Sequence, residues 1–185
     1  MKAFIYYGMC GAFKYSTIKK RHPEDQYVFS DVKPFVDLGD RVFDSKIEYN
    51  DLTLAAIRLT KLRNLLPEKD LAIERGVTDF LQCYLTRKSD NTLSDDLIKK
   101  VTEEEKNILL GKGYSHINKT LLIMRDEKFI KDVILTEPHR LKTYPSLDYY
   151  LSCQEEYIKF TKEYNTLTEV IKITDAWDYI NNYLN

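Results

Sequence analysis

Cysteine is scarce in this chain. Cys10, Cys83 and Cys153 are the only three, widely spaced and without a CxxC pair. An odd, scattered set builds no disulfide framework and is the usage of a reducing compartment, where each thiol serves as a small buried apolar group. Histidine is equally sparse: His22, His116 and His139 stand too far apart to read as a metal set. Neither sign of charge is in excess, since 28 Lys and Arg against 29 Asp and Glu leave a net charge of −1. Sequence-independent nucleic-acid binding needs a basic surface to release counterions, so there is no strong nucleic-acid signal. No apolar run approaches the roughly 20 residues of a membrane span. The first residues also lack the positive segment and long apolar stretch of a secretory signal. There is no repeat and no low-complexity linker. These absences lead to the expectation of a soluble, cytoplasmic protein with one domain over residues 1–185.

What is present is mostly ordinary: 31% charged and 43% hydrophobic residues, as in soluble globular proteins. The 14 tyrosines are the exception. Many fall in amphipathic helical patterns, where a Tyr packs its ring and keeps its hydroxyl wet. Whether they bury the core or the face of a homodimer is open at this level.

Apolar runs alternate with helical patterns. Residues 3–7 read as a first strand and 26–29 as a weaker second. Over 51–66, Leu52, Ala55, Ala56, Leu59, Leu62 and Leu66 form one helical stripe. A short buried strand follows at 71–73 and a helical stretch at 77–85. Ser94, with Asp95 and Asp96 behind it, opens a helix that stops near Gly111 and Gly113. Residues 120–124 are the clearest central strand. A short helix over 126–135 and a polar stretch over 136–145 come next. From Ser146, Leu147, Tyr150, Leu151, Gln154, Tyr157 and Ile158 share a helical face. Residues 169–173 form a last strand, closed by a helix from Asp175. This alternation predicts an α/β three-layer sandwich with a mainly parallel five-stranded sheet. Ligands in such sheets gather at the carboxyl ends of the strands, so the loops there carry the chemistry.

The loop after the first strand is Gly8-Met9-Cys10-Gly11-Ala12-Phe13-Lys14-Tyr15-Ser16-Thr17. A phosphate-binding loop reads Gly, four residues, Gly-Lys, then Ser or Thr. Gly8, Gly11 and Lys14 are kept; Phe13 stands where the last Gly belongs and Tyr15 where the magnesium hydroxyl belongs. Backbone N–H groups at a helix N-terminus wrap phosphate oxygens, and the Lys neutralises their charge. A negative φ at Phe13 would let its ring point away, and Ser16 or Thr17 would replace the missing hydroxyl. The plain alternative is a tight turn with a surface Lys.

After the third strand comes Glu74-Arg75, a general base beside a planar fork suited to phosphate; the alternative is an ion pair capping the next helix. Arg140 and Lys142 lie in the 136–145 stretch, which reads as a lid or as a solvated connection. Asp31, after the second strand, fits a polar turn better than a substrate pocket. Thr174-Asp175 reads first as a helix cap.

This order of a degenerate GxxGxxKxST loop, IERGVTDF after a short strand, a late basic lid and the helix YPSLDYYLSCQEEYIKF resembles the P-loop nucleoside and nucleotide kinases, most of all the deoxynucleoside kinase and thymidylate kinase group. The resemblance implies a P-loop NTPase-like fold, ATP and Mg2+ as cofactors, and a nucleoside or nucleotide as substrate. It assigns Gly8, Gly11, Lys14, Ser16 and Thr17 to ATP, with Ser16 also on the metal. Lys14, Glu74, Arg75 and Arg140 become the catalytic set. The activity implied is phosphate transfer to a (deoxy)nucleoside or its monophosphate, in a minimal kinase of the kind a bacteriophage encodes. Phe13 and Tyr15 depart from the family pattern. They favour the alternative, a kinase-fold binding or regulatory protein without catalysis.

Overall fold

The computed structural model describes residues 1–22, 27–30, 51–65, 69–78 and 94–184. In chain order these form β1 (Lys2–Tyr7), α1 (Lys14–Arg21), β2 (Tyr27–Ser30), α2 (Asp51–Asn64) and β3 (Leu71–Glu74). There follow α3 (Asp95–Gly111), β4 (His116–Met124), α4 (Glu127–Asp132), a 3-10 turn (Ile134–Thr136) and α5 (Pro138–Thr143). The chain closes with α6 (Leu147–Tyr164), β5 (Glu169–Ile173), α7 (Ala176–Tyr179) and a π turn (Ile180–Leu184). The expected helix beyond residue 78, the polar turn at 31–35, Gln26 and Cys83 lie outside the described residues.

The strands make one sheet in the order β2-β3-β1-β4-β5, with every pair parallel. β1 is central, and Ala3, Ile5, Tyr6 and Tyr7 are all buried along it. That is the burial of a strand covered on both faces, which parallel sheets require. Consecutive strand residues point to opposite faces, and the two tyrosines show what lies on each. The Tyr6 hydroxyl meets His22 Nε2 at 2.9 Å, just past α1. The Tyr7 hydroxyl donates to Asn165 Oδ1 at 3.2 Å, just past α6. The chain is therefore α/β with a parallel sheet and helices on both faces.

Local signals set most helix starts. Ser94 Oγ accepts from Leu97 N at 3.3 Å and Ser146 Oγ from Tyr149 N at 3.1 Å. Asp175 Oδ1 accepts from Asp178 N at 2.8 Å, so it is a cap as expected. Three boundaries differ from expectation. β4 begins at His116 rather than 120, because pairing to β1 carries it through polar Asn118 and Lys119. The stretch 136–145 is not an open loop, for Pro138 at its first turn starts α5. The helix expected over 126–135 divides into α4 and the 3-10 turn.

On the α1 face, Arg21 grips Glu169 with both guanidinium ends, Nη1–Oε2 at 2.5 Å and Nη2–Oε1 at 3.0 Å. Thr120 Oγ1 adds a bond to Oε2 at 3.3 Å. The Arg21 hydrogen bonds hold the Glu169 carboxyl below its usual value near 4.5, against burial, which raises it. A carboxyl depressed by folding contributes stability above its unfolded pKa and loses it as pH falls through the folded one. Glu169→Gln should therefore be less stable than wild type at pH 7, with the gap closing below about pH 4. Urea midpoints of the two proteins at pH 7 and pH 3 check this; an equal gap at both would refute the pairing as the cause. The pair is partly solvent-exposed, so a modest gap is expected.

Candidate functional site

Immediately after Tyr7 the chain turns at Gly8 and reaches α1 six residues later. Gly8 is there because nothing larger fits: a Cβ would sit 2.8 Å from the Leu122 backbone oxygen of β4. Gly11, at φ 82°, is left-handed and lies against the Ile134 side chain. Ala12 N donates to Met9 O at 3.2 Å and closes the turn.

Phe13 does not have the negative φ under which its ring was expected to point away. It sits at φ 53°, ψ 26°, in the left-handed region glycine favours, as the residue before α1. Its ring does turn away, stacking on Tyr179 at 6.0 Å and tilting on Phe129 at 5.5 Å. The backbone thus takes the shape a glycine would give, held by aromatic packing instead. Local strain of this kind persists only where surroundings over-determine it.

Lys14 is not a surface lysine. The residue is 4% exposed, and Nζ donates to Gly8 O at 2.7 Å and Met9 O at 2.9 Å. The ammonium therefore lies along the inner rim of the loop. α1 has no side-chain cap and no acidic residue in its first turn, while Lys19, Lys20 and Arg21 occupy its last. Its positive end is thus left to the loop, which suits an anion. Tyr15 is outward, with Lys19 over its ring at 5.9 Å. Ser16 is exposed on the first turn. Thr17 is turned inward: Oγ1 donates to Phe13 O at 2.8 Å and lies 3.0 Å from the Tyr179 hydroxyl. The structure thus engages Thr17 in holding the loop, leaving Ser16 as the exposed small hydroxyl of the two.

α6 cradles the outside of the loop. Tyr157 Oη accepts from Gly8 N at 2.6 Å, and Tyr150 Oη donates to Cys10 O at 2.7 Å. Gln154 Nε2 donates to Met124 O at 2.9 Å between them. Burial pushes the Tyr150 phenol well above its ordinary pKa, with Cys10 adding to the rise and the Arg140 charge opposing it. Arg140, from α5, therefore lies within electrostatic reach of a residue bonded to the loop. It pairs with Glu137, Nε–Oε2 at 3.1 Å.

Glu74 is brought to the same edge. It pairs in register with Tyr6, two residues before Gly8, and is buried. Arg75 N donates to Tyr6 O at 2.9 Å, with Arg75 at φ 69°. Gly8, Gly11, Lys14, Glu74 and Arg75 thus gather at the carboxyl ends of β1 and β3, while Arg140 on α5 is paired with Glu137. Asp126 ties the far side: Oδ1 accepts from Phe129 N and Oδ2 from Ala176 N, each at 2.9 Å.

The residues present fit a phosphate chain. A glycine turn, a helix start without side-chain cap or acidic residue, and the Lys14 ammonium bring positive charge to one place. Among the described residues no group of three His, Cys, Asp or Glu could hold a metal ion. No protein-family model matches this chain, and no curated protein matches it.

Four contributors escaped the sequence reading. Tyr150, Gln154 and Tyr157 had been placed on one helical face but read only as packing. Arg58, 2% exposed on α2, donates from Nη1 to Arg75 O and, at 2.5 Å, to Gly76 O. A buried Arg among Ala55, Leu59 and Leu62 is the signal that could have found it.

Proposed function

We propose that this protein is an ATP-dependent phosphotransferase acting on a (deoxy)nucleoside or nucleoside monophosphate, on a three-layer, P-loop NTPase-like scaffold. The observation that carries the reading is Lys14 Nζ folded onto the Gly8 and Met9 carbonyls inside a glycine turn that opens α1. Gly8, Gly11 and Lys14 bind the phosphates, with Ser16 toward magnesium. ATP with magnesium supplies the transferable γ-phosphoryl group. Glu74 takes the proton of an acceptor hydroxyl as that oxygen bonds to phosphorus, while the bond to the β-phosphate oxygen breaks and ADP leaves. Arg75 orients the acceptor. Lys14 and Arg140 counter the charge that builds on the transferred group.

The second reading is a kinase-fold protein that binds nucleotide without turning it over. Phe13 in the left-handed position and the outward Tyr15 favour it.

Trp177 offers the test. It is the single tryptophan, 59% exposed, and its ring meets Phe129 edge-on at 5.6 Å, which in turn touches Phe13. Titration with ATP and magnesium should change Trp177 fluorescence saturably. Radiolabelled ATP should then pass its γ-phosphate to one of the common deoxynucleosides or their 5′-monophosphates. Binding without transfer selects the second reading. Neither binding nor transfer ends both.

A further inference from the structure

The turn from Arg75 to Thr78 directly follows Glu74 at the end of β3 and holds the other half of the proposed catalytic pair, and its backbone is in an unusual state. Arg75 is left-handed at φ 69°, without glycine's freedom. Gly76 cannot be widened, because a Cβ there would collide with the buried Tyr7 hydroxyl. A strained turn needs partners that fix it from several sides. Two buried charged side chains from different helices do so. Arg58, on α2, spans the carbonyls of Arg75 and Gly76 through one nitrogen. Glu105, 1% exposed on α3, accepts from Val77 N through Oε1 at 2.7 Å.

Glu105 is a costly residue at such a depth. Its second oxygen, Oε2, is buried with no hydrogen-bond partner among the described residues. A carboxylate oxygen left so is a penalty that an apolar side chain would avoid. Packing α3 does not call for it, since Ile98, Val101 and Leu109 already bury that face. What Glu105 supplies that an apolar residue lacks is an acceptor for Val77 N. Lys119 lies near enough to feel its charge: burial lowers the Lys119 pKa, and Glu105 works against that fall.

We infer that Arg58 and Glu105 are positioning residues, a two-sided clamp on the 75–78 backbone that fixes where Glu74 and Arg75 leave β3. The catalytic consequence rests on the phosphotransferase reading; the clamp itself does not. Glu105→Ala, Glu105→Gln and wild type should be compared in two ways. The first is transfer from ATP and magnesium to the common deoxynucleosides and their 5′-monophosphates. The second is amide hydrogen exchange at Val77, with Ile73 of β3 as internal reference.

In Glu105→Ala, kcat should fall about 100-fold with the KM for ATP unchanged, as displacement of a reacting group by an ångström does. Val77 exchange should accelerate while Ile73 stays protected. Glu105→Gln keeps an oxygen for Val77 and should restore both. Equal losses in the two variants, or unchanged Val77 exchange in Glu105→Ala, would overturn the clamp. Should Glu105→Ala not fold, Arg58→Lys replaces it, expected to lower kcat at constant KM; wild-type kcat there would also overturn it. If wild type transfers no phosphate, the functional reading fails separately. Val77 exchange then decides the clamp: loss in Glu105→Ala with rescue in Glu105→Gln supports it, and no difference sinks it.

Discussion

Lys14→Ala should lose the thermal stabilisation that ATP with magnesium gives the wild type. A ligand at 100 times its Kd stabilises the folded state by about 2.7 kcal/mol. For a chain of this size each kcal/mol moves Tm by roughly 2–4 °C, so the wild-type rise should be roughly 5–10 °C. The variant should show almost none of it, and phosphate transfer should drop about 10²–10³-fold, the scale of losing one charge-stabilising donor. The substitution has a second effect that must be kept apart from the first. Gly8 O loses a buried donor and Met9 O keeps only its bond from Ala12 N, and a carbonyl left unsatisfied costs about 1–3 kcal/mol. The apo protein will therefore melt lower as well. The difference between Tm with and without nucleotide is the decisive readout. An undiminished difference in Lys14→Ala would remove the lysine from the site and, with it, the main support for the proposed activity.

Gly8→Ala should be the most damaging of the small substitutions in the loop. The new methyl would lie 2.8 Å from the Leu122 oxygen, at a φ of 157° that side-chain-bearing residues rarely adopt. That oxygen is backbone of β4, fixed by pairing to β1, so it cannot swing aside. Overpacking costs about 1–3 kcal/mol and backbone strain a similar amount, giving an expected loss of about 3 kcal/mol. Denaturant titration should show the midpoint falling with the slope unchanged. A loss under about 1 kcal/mol would mean that β1 and β4 can part at their carboxyl ends, against the packing described.

The parallel α/β class was legible because β1 and the core of β4 are continuous apolar runs and the helices carry plain caps at Ser94, Ser146 and Asp175. The amino end of β4 was hidden by chemistry rather than by chance. Lys119 looks like a surface residue, yet it is half-buried, its ammonium donating to Asn165 Oδ1 at 2.7 Å. The conformation of Phe13 was hidden for a related reason: an aromatic residue disfavours left-handed backbone locally, and only its packing on Phe129 and Tyr179 reverses that. Local preference lost to tertiary context at both places.

The position of Glu74-Arg75 could be read because a buried strand leads into it. Glu105 stands in a run of three glutamates, of which nothing local distinguishes one from another. Its register does: Ile98, Val101, Glu105 and Leu109 share one helical stripe. A charged residue on an apolar stripe is buried or misread, and here it is buried. Arg58 carries the same mark on α2. Polar residues out of register with their own helix were the unread part of this site.

The tyrosines on α6 and α7 have a consequence for the living cell's order of events. Gly8 is bound by a residue 149 positions later, Cys10 by one 140 later, and Thr17 by one 162 later. A nascent chain leaves the ribosome amino end first, at about 5–20 residues per second. The glycine turn is thus made well before the residues that wall it. Until Tyr179 is released from the exit tunnel, the wall behind the glycine turn is incomplete. Assembly of this end of the molecule waits on those later residues, and it is slow in the way long-range closures are.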